Sequence, residues 1–238
     1  MKHLTLLVAL FLISFDWASA QTDTLRYTIF GDSYSTFEGW LTPATNEPWY
    51  FTADHKFRTK ENDVVKVEQT WWWQVIERMG GKLEMNNSYS GATISRTGYK
   101  DQNGQHADYT RRSFVTRSRN LGEPDVILMC AGTNDCWCGA PYGEYVYADW
   151  TQDELYCIRP SLAKLLFNLT NNYPKARLLY ILNSDMTPEF VETVHTICRH
   201  YGVDCLDLHD IDKQYGHPSQ KGMKAIADQV VEFLQKKK

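Results

Sequence analysis

The chain's clearest chemical candidate is a serine: Gly31-Asp32-Ser33-Tyr34-Ser35 directly follows the apolar run Tyr27-Thr28-Ile29-Phe30. A serine hydroxyl becomes a useful nucleophile once a neighbouring base takes its proton, and loops at strand ends are where such groups collect. The same residues also suit a plain strand-to-helix turn with an N-capping serine, so the motif alone leaves both readings open. Three later segments bear on the choice. Asn86-Asn87-Ser88-Tyr89-Ser90-Gly91 follows a second run, Ala131-Gly132-Thr133-Asn134-Asp135 follows a third, and His217-Pro218 precedes the last helical stretch. Singly, Gly91 reads as a turn glycine, Asn134 as a turn cap and His217 as a helix cap. Together they put polar groups at strand ends or helix entries, and in a doubly wound sheet those ends converge on one edge. The histidines at 55, 106, 195, 200 and 209 have no comparable context.

The elements that must hold these residues show as alternating patterns. Runs bounded by turn residues recur at 27–30, 82–85, 125–130, 177–182 and 203–208, and predict strands of a mostly buried sheet. Helical spacing covers 70–79, 153–173 and 188–201, which close on Gly80, Pro174 and Gly202, and then runs from Ser219 to the end of the chain. The alternation predicts an α/β fold with a parallel sheet covered on both faces. In the last stretch Met223, Ile226, Ala227, Val230, Phe233 and Leu234 share one face, which is core packing. Two segments, 37–73 and 137–156, are too long and too aromatic for plain connectors and read as insertions.

Residues 1–20 read as a signal peptide: Lys2 and His3 precede an apolar stretch over 4–15, and Ala18-Ser19-Ala20 supplies a cleavage pattern. Export to the periplasm or the extracellular space is therefore expected, with 21–238 forming one domain. No later segment approaches the ~20 apolar residues of a membrane helix, so stable membrane insertion is not expected. The formal net charge of -4 over 238 residues gives no electrostatic reason for a nucleic-acid partner. The oligomeric state is open. Six cysteines, at 130, 136, 138, 157, 198 and 205, would meet an oxidising compartment after export, but their pairing cannot be read from the sequence. Cys130 sits inside an apolar run and is expected as a buried thiol. Cys136-Trp137-Cys138 lacks the second ligand pair of a zinc site, so no metal is expected.

The four polar blocks resemble, in order, those of the GDSL-type hydrolases of the SGNH superfamily, named for a Ser, Gly, Asn and His in separate blocks. Gly31-Asp32-Ser33 resembles the first, Gly91 the second, Gly132-Thr133-Asn134-Asp135 the third and His217 the last, so the likeness spans essentially all of 21–238. It implies a flavodoxin-like three-layer α/β/α sandwich with a mostly parallel five-stranded sheet. It further implies Ser33 as nucleophile, His217 as general base, and an oxyanion hole from the Ser33 N–H, the Gly91 N–H and the Asn134 side-chain amide, with no cofactor. Glycine at 91 suits that role because close backbone approach to a tetrahedral intermediate leaves no room for a side chain.

The sequence departs from the pattern at one point. The family commonly carries an aspartate three residues before the histidine, and here that position is Gln214. Three arrangements stay open: Asp212 reaches His217 through a rearranged loop, Gln214 or a backbone carbonyl orients it, or the site is a Ser-His dyad. A dyad or carbonyl-assisted site is the favoured expectation, with Asp32 and Asp135 bracing turns by accepting loop N–H groups. The resemblance and the aromatic loops imply a serine esterase acting on a small acyl ester, O-acetyl on a carbohydrate, with Trp40, Trp137 and Tyr142 as sugar contacts. The alternatives are a lysophospholipase- or thioesterase-like lipid esterase and a catalytically weak carbohydrate-binding member of the fold.

Overall fold

The computed structural model describes residues 24–58 and 62–236, so the leader reading of 1–20 lies outside the described residues. In chain order the elements are β1 (Arg26–Gly31), α1 (Trp71–Arg78), β2 (Lys82–Asn86), β3 (Thr97–Lys100), β4 (His106–Asp108), α2 (Phe114–Arg117), β5 (Val126–Cys130) and α3 (Thr133–Cys138). There follow α4 (Ile158–Asn172), β6 (Arg177–Leu182), α5 (Pro188–Tyr201), β7 (Asp204–Asp207), β8 (Lys213–Gln214), β9 (His217–Pro218) and α6 (Gln220–Lys236). Five strands form one sheet in the order β2-β1-β5-β6-β7, with every pairing parallel. Counted among themselves these run 2-1-3-4-5, the flavodoxin-like order, whose switch point falls between β1 and β5.

That switch point explains the geometry of the site. Gly31 is in register with Cys130, so the loops carrying Ser33 and Asn134 leave the sheet side by side. The period of two divides each strand between two cores. Tyr27, Ile29, Val126, Leu128 and Ile181 pack under α1 and α6, while Phe30, Ile127, Met129, Tyr180 and Leu182 pack under α4 and α5. β5 is buried along its whole length, as a central parallel strand covered on both faces should be.

The helices begin and end where their sequences direct. Thr187 caps α5 by accepting the Phe190 N–H at 3.3 Å, Pro188 takes the first turn, and Gly202 closes it at φ 64. The stretch expected as one helix over 153–173 divides into a single 3-10 turn at Glu154–Tyr156 and α4, with Cys157 extended between them. The two small hairpins, β3–β4 and β8–β9, were not foreseen. All six cysteines are free thiols, Cys130 being buried as expected. Among the described residues no helix is long and apolar enough to cross a membrane.

The first aromatic insertion folds back over the C-terminal hairpin. Tyr50 Oη and Asn62 Nδ2 donate to the Pro218 carbonyl at 2.9 and 3.1 Å, and the Asp63 N–H donates to Gln214 Oε1 at 2.9 Å. α3 starts at Gly132, whose φ of +105 is closed to side-chain-bearing residues, and an added Cβ would lie 2.1 Å from Phe190 Cζ. Gly132→Ala is therefore expected to lose about 2–4 kcal/mol of unfolding free energy, from overpacking plus left-handed strain, as read by chemical denaturation. An unchanged midpoint would show that Phe190 yields without cost.

Candidate active site

Ser33 opens a single 3-10 turn after β1, and the turn is held by Asp32, whose Oδ1 accepts the Tyr34 N–H at 3.0 Å. His217 lies in β9, immediately before α6. The two meet: His217 Nε2 and Ser33 Oγ are 2.9 Å apart and both residues are buried. On the other side of the ring, Nδ1 is 3.1 Å from the Tyr215 carbonyl oxygen. A carbonyl can only accept, so Nδ1 carries the proton and Nε2 presents its lone pair to the serine O–H. That is the tautomer a general base needs.

The carbonyl is aimed by a tight turn. Tyr215 and Gly216 both take positive φ, 51 and 73, the signature of a type I′ hairpin connection between β8 and β9. Tyr34 Oη donates to the Gly216 carbonyl at 2.8 Å and ties this turn to the serine's own loop. Neither side-chain candidate reaches the imidazole. Asp212 accepts from the Ser219 hydroxyl, and the Gln214 side chain is engaged by Asp63. Of the expected arrangements, the backbone carbonyl is the one observed.

Aromatic rings enclose the imidazole. Trp49 stacks on it at 3.6 Å between centroids and 9° between planes, with Tyr34 tilted at 5.2 Å and Trp137 edge-on at 6.1 Å. Burial is the main reason its pKa is pushed down to about 4; the Tyr215 carbonyl works against this and the Lys213 ammonium adds to it. At neutral pH the ring is uncharged and able to accept a proton.

The oxyanion candidates converge on the same edge. Asn134 is buried at the start of α3, its Nδ2 donating to the Ala92 carbonyl at 3.0 Å and its Oδ1 accepting from Tyr99 Oη at 2.8 Å. These bonds fix the amide and leave its second N–H free. Gly91 sits in a turn at φ +74, and no acceptor among the described residues takes its N–H or that of Ser33. Asp135 braces the Gly91 loop as expected, taking the Ile94 N–H at 2.6 Å, the Ser95 N–H at 3.1 Å and the Ser95 hydroxyl at 2.9 Å.

The three expected sugar contacts separate. Trp137 stands beside His217 and is half exposed. Trp40 instead packs on Trp72 and Trp73 at 6.3 and 5.1 Å, and Tyr142 hydrogen-bonds Thr187 at 3.0 Å with Arg159 over its ring. Both are loop anchors. The sequence does not single out Trp49 or Tyr34, nor assign the expected carbonyl to Tyr215; only the aromatic richness of the insertion hints at Trp49. Among the described residues one group could hold a metal ion, His195, Cys205 and Asp207, with ligand atoms within 4.8 Å of one another. It lies on α5 and the edge strand β7, with two strands between it and β1, and a 2.8 Å His195–Asp207 contact already engages two of its members.

Comparison with known proteins gives the family and the fold. The family model for GDSL-like lipase/acylhydrolase matches residues 25–234. A crystal structure of a protein named as a GDSL-like lipase from Bacteroides ovatus is 47% identical, with a TM-score of 0.84 over 90% of this chain and 99% of that one. A second so named, from Bacteroides uniformis, is 49% identical with the same TM-score over 90% and 96%. A family two carbohydrate esterase from Clostridium thermocellum, 15% identical, superposes with a TM-score of 0.59 over 90% and 64%, a likeness of fold. No curated protein matches the chain.

Two outcomes follow from the enclosed imidazole. A base is active while neutral, so kcat/KM for an uncharged ester should stay level from pH 7 to about 5 and fall as the pH approaches about 4. The unfolded chain binds this proton first, so the fold weakens as pH drops from 6.5 to about 4, and rates need brief pH jumps from neutral stock. Lys213→Gln removes a like charge and should move the acid limb to higher pH; an unmoved limb would assign that limb to another group. Separately, Trp49→Ala should lower kcat by roughly tenfold to a hundredfold through misplacement of the ring, with Trp49→Phe recovering much of the loss.

Proposed function

The chain belongs to the GDSL-like lipase/acylhydrolase family of ester-hydrolysing enzymes, and from that premise we propose an exported serine esterase that removes a small acyl group, O-acetyl, from a carbohydrate. The observation that carries the reading is the 2.9 Å contact between Ser33 Oγ and the base nitrogen of His217. As Oγ attacks the ester carbonyl its proton passes to Nε2, and the carbonyl oxygen becomes an oxyanion facing the Ser33 N–H, the Gly91 N–H and the free N–H of Asn134. Collapse expels the sugar hydroxyl, which takes the proton from Nε2. A water molecule then gives a proton to Nε2 while its oxygen attacks the acyl-serine, and the second collapse returns that proton to Oγ and releases the acid.

Two features favour a short acyl group on a sugar. The apolar cavity a fatty chain would suit, about 290 Å³ and walled by Trp40, Trp72, Trp73, Ile76 and Leu83, is lined by neither Ser33 nor His217. Trp137, half exposed beside the imidazole, offers a ring face to a sugar. Export rests on the leader pattern of residues 1–20.

The test is acyl release with matched variants. The wild type should take a fluorophosphonate label at Ser33 and release acetate from acetylated polysaccharides in preference to cleaving long-chain nitrophenyl esters. Ser33→Ala should abolish labelling and lower turnover by at least about four orders of magnitude, and Asn134→Ala by about two to three. Asp212→Asn should stay within about tenfold, some 1.4 kcal/mol, because that carboxylate serves Ser219 rather than the imidazole. Preference for long acyl chains would sink the carbohydrate reading, and a larger loss in Asp212→Asn would return the acid to the site.

A further inference from the structure

Beside the oxyanion loop lies a cavity of about 630 Å³, within the size range of ligand pockets. Four arginines line it, Arg111, Arg112, Arg117 and Arg119, against a single acid, Asp108, whose carboxylate is already engaged by the Thr110 N–H and hydroxyl. In a chain of net charge -4 this is a local reversal of sign. Among the described residues no carboxylate lies within ion-pair distance of Arg111, Arg117 or Arg119, and Arg112 has only a long contact, 3.5 Å, to Glu47.

The arginines differ in how they are held. Arg117 is the inner one: its Nη1 donates to the Asn87 carbonyl and side chain, its Nε donates to the Arg112 carbonyl at 2.8 Å, and its guanidinium packs over Phe30 and Phe114. Its buried Nη2 has no hydrogen-bond partner, an unsatisfied charged donor of the kind that is costly unless something else uses it. Burial also pushes its pKa down to about 9, so it remains cationic at neutral pH. Arg112 lies 4.7 Å from each of the Tyr89 and Tyr109 rings, which fix its plane. Arg111 and Arg119 are exposed at the rim.

Arg112 connects this cavity to the reaction centre. Its Nη1 donates to the Ser90 carbonyl at 3.3 Å and stands 3.3 Å from where a Cβ on Gly91 would be. The basic wall therefore begins one side chain away from the Gly91 N–H. Planar guanidinium groups match carboxylates bidentately, and the exposed Asn120 side-chain amide that shares the lining suits a sugar hydroxyl.

We propose that this cavity is a subsite for a carboxylate-bearing sugar unit next to the esterified one, so that the substrate is an O-acetylated acidic glycan. This rests on the esterase reading above and adds the charge of the substrate to it.

Binding to the full-length Ser33→Ala protein tests the subsite without turnover. By calorimetry at low salt, trigalacturonate or sialyllactose should bind at least tenfold tighter than its neutral counterpart, xylotriose or lactose. Adding Arg111→Ala and Arg119→Ala, both exposed side chains, should remove at least tenfold of that preference. Equal binding of acidic and neutral sugars, no binding of either acidic probe, displacement of the acidic probe by equimolar inorganic phosphate, or a preference unmoved in the arginine variant would each overturn the proposal. A wild type that neither takes the fluorophosphonate label nor turns over nitrophenyl acetate would sink the esterase reading instead, while the calorimetry still reports on the subsite.

Discussion

The hydrogen bond from His217 Nδ1–H to the Tyr215 carbonyl is the constraint on which the Ser33 site depends. It selects the tautomer, and with the ring clamped against Trp49 it leaves the Nε2 lone pair one direction to face. A carbonyl does this only if its own peptide is fixed, and the surroundings of the β8–β9 hairpin serve that end. Tyr34 holds the Gly216 carbonyl, Tyr50 and Asn62 hold that of Pro218, and Gln214 is pinned by the Asp63 N–H. The residue that stands where the family's acid is expected thus supports the hairpin. Tyr215 accepts a left-handed backbone, costly for a bulky residue, at the point where the carbonyl must turn inward.

Two buried carboxylates hold the loops opposite the hairpin. Asp32 caps the serine turn and Asp135 collects three donors from the loop after Gly91, so the strand ends of β1, β2 and β5 are tied by side chains as well as by the sheet. Burial raises both acids, Asp32 to about 7 and Asp135 to about 6, the bonds to loop N–H groups acting the other way. Each therefore weakens the fold as pH rises above the ordinary carboxylate range toward those values, whereas His217 weakens it as pH falls from 6.5. Near pH 5 the site is assembled from groups that solvent would hold in other protonation states, and packing of the two cores must offset that cost.

Much of the framework was legible because it rests on periodicity. The run at 125–130 and the helical stretch at 188–201 correspond to β5 and α5, and the 2-1-3-4-5 order brings the Ser33 and Asn134 loops together with no help from either residue. What escaped was decided by tertiary closure. Trp40 and Trp49 belong to one insertion and look alike in sequence, yet one lies on α1 and the other on the imidazole, because the segment between them runs along the loop after β2, where the Thr42 N–H donates to the Asn86 carbonyl and Asn46 Nδ2 to that of Ser88. Tyr215-Gly216 lacks the Asn-Gly or Asp-Gly signal of a tight hairpin, so the turn that replaces the acid left no local mark. Arg111 to Arg119 fall outside any periodic stretch, and only the packing of Arg117 under Arg112 makes them one wall.

On this reading the missing acid leaves a question of charge rather than of geometry. Lowering the imidazole from 6.5 to about 4 makes its protonation in the free protein roughly 3 kcal/mol harder than in water. A fixed carboxylate would remove that cost at all times, including when no substrate is present. Here the counter-charge arrives with the reaction: as the proton reaches Nε2, an oxyanion forms on the carbon bonded to Ser33 Oγ, a few ångströms away and in the same poorly solvated space. The attraction between opposite charges is strong there because water is excluded, by the same Trp49 and Tyr34 rings that depress the resting pKa. Desolvation thus penalises the imidazolium before attack and strengthens its pairing afterwards, so the carbonyl at Nδ1 has to supply orientation, and the substrate's developing charge supplies the rest.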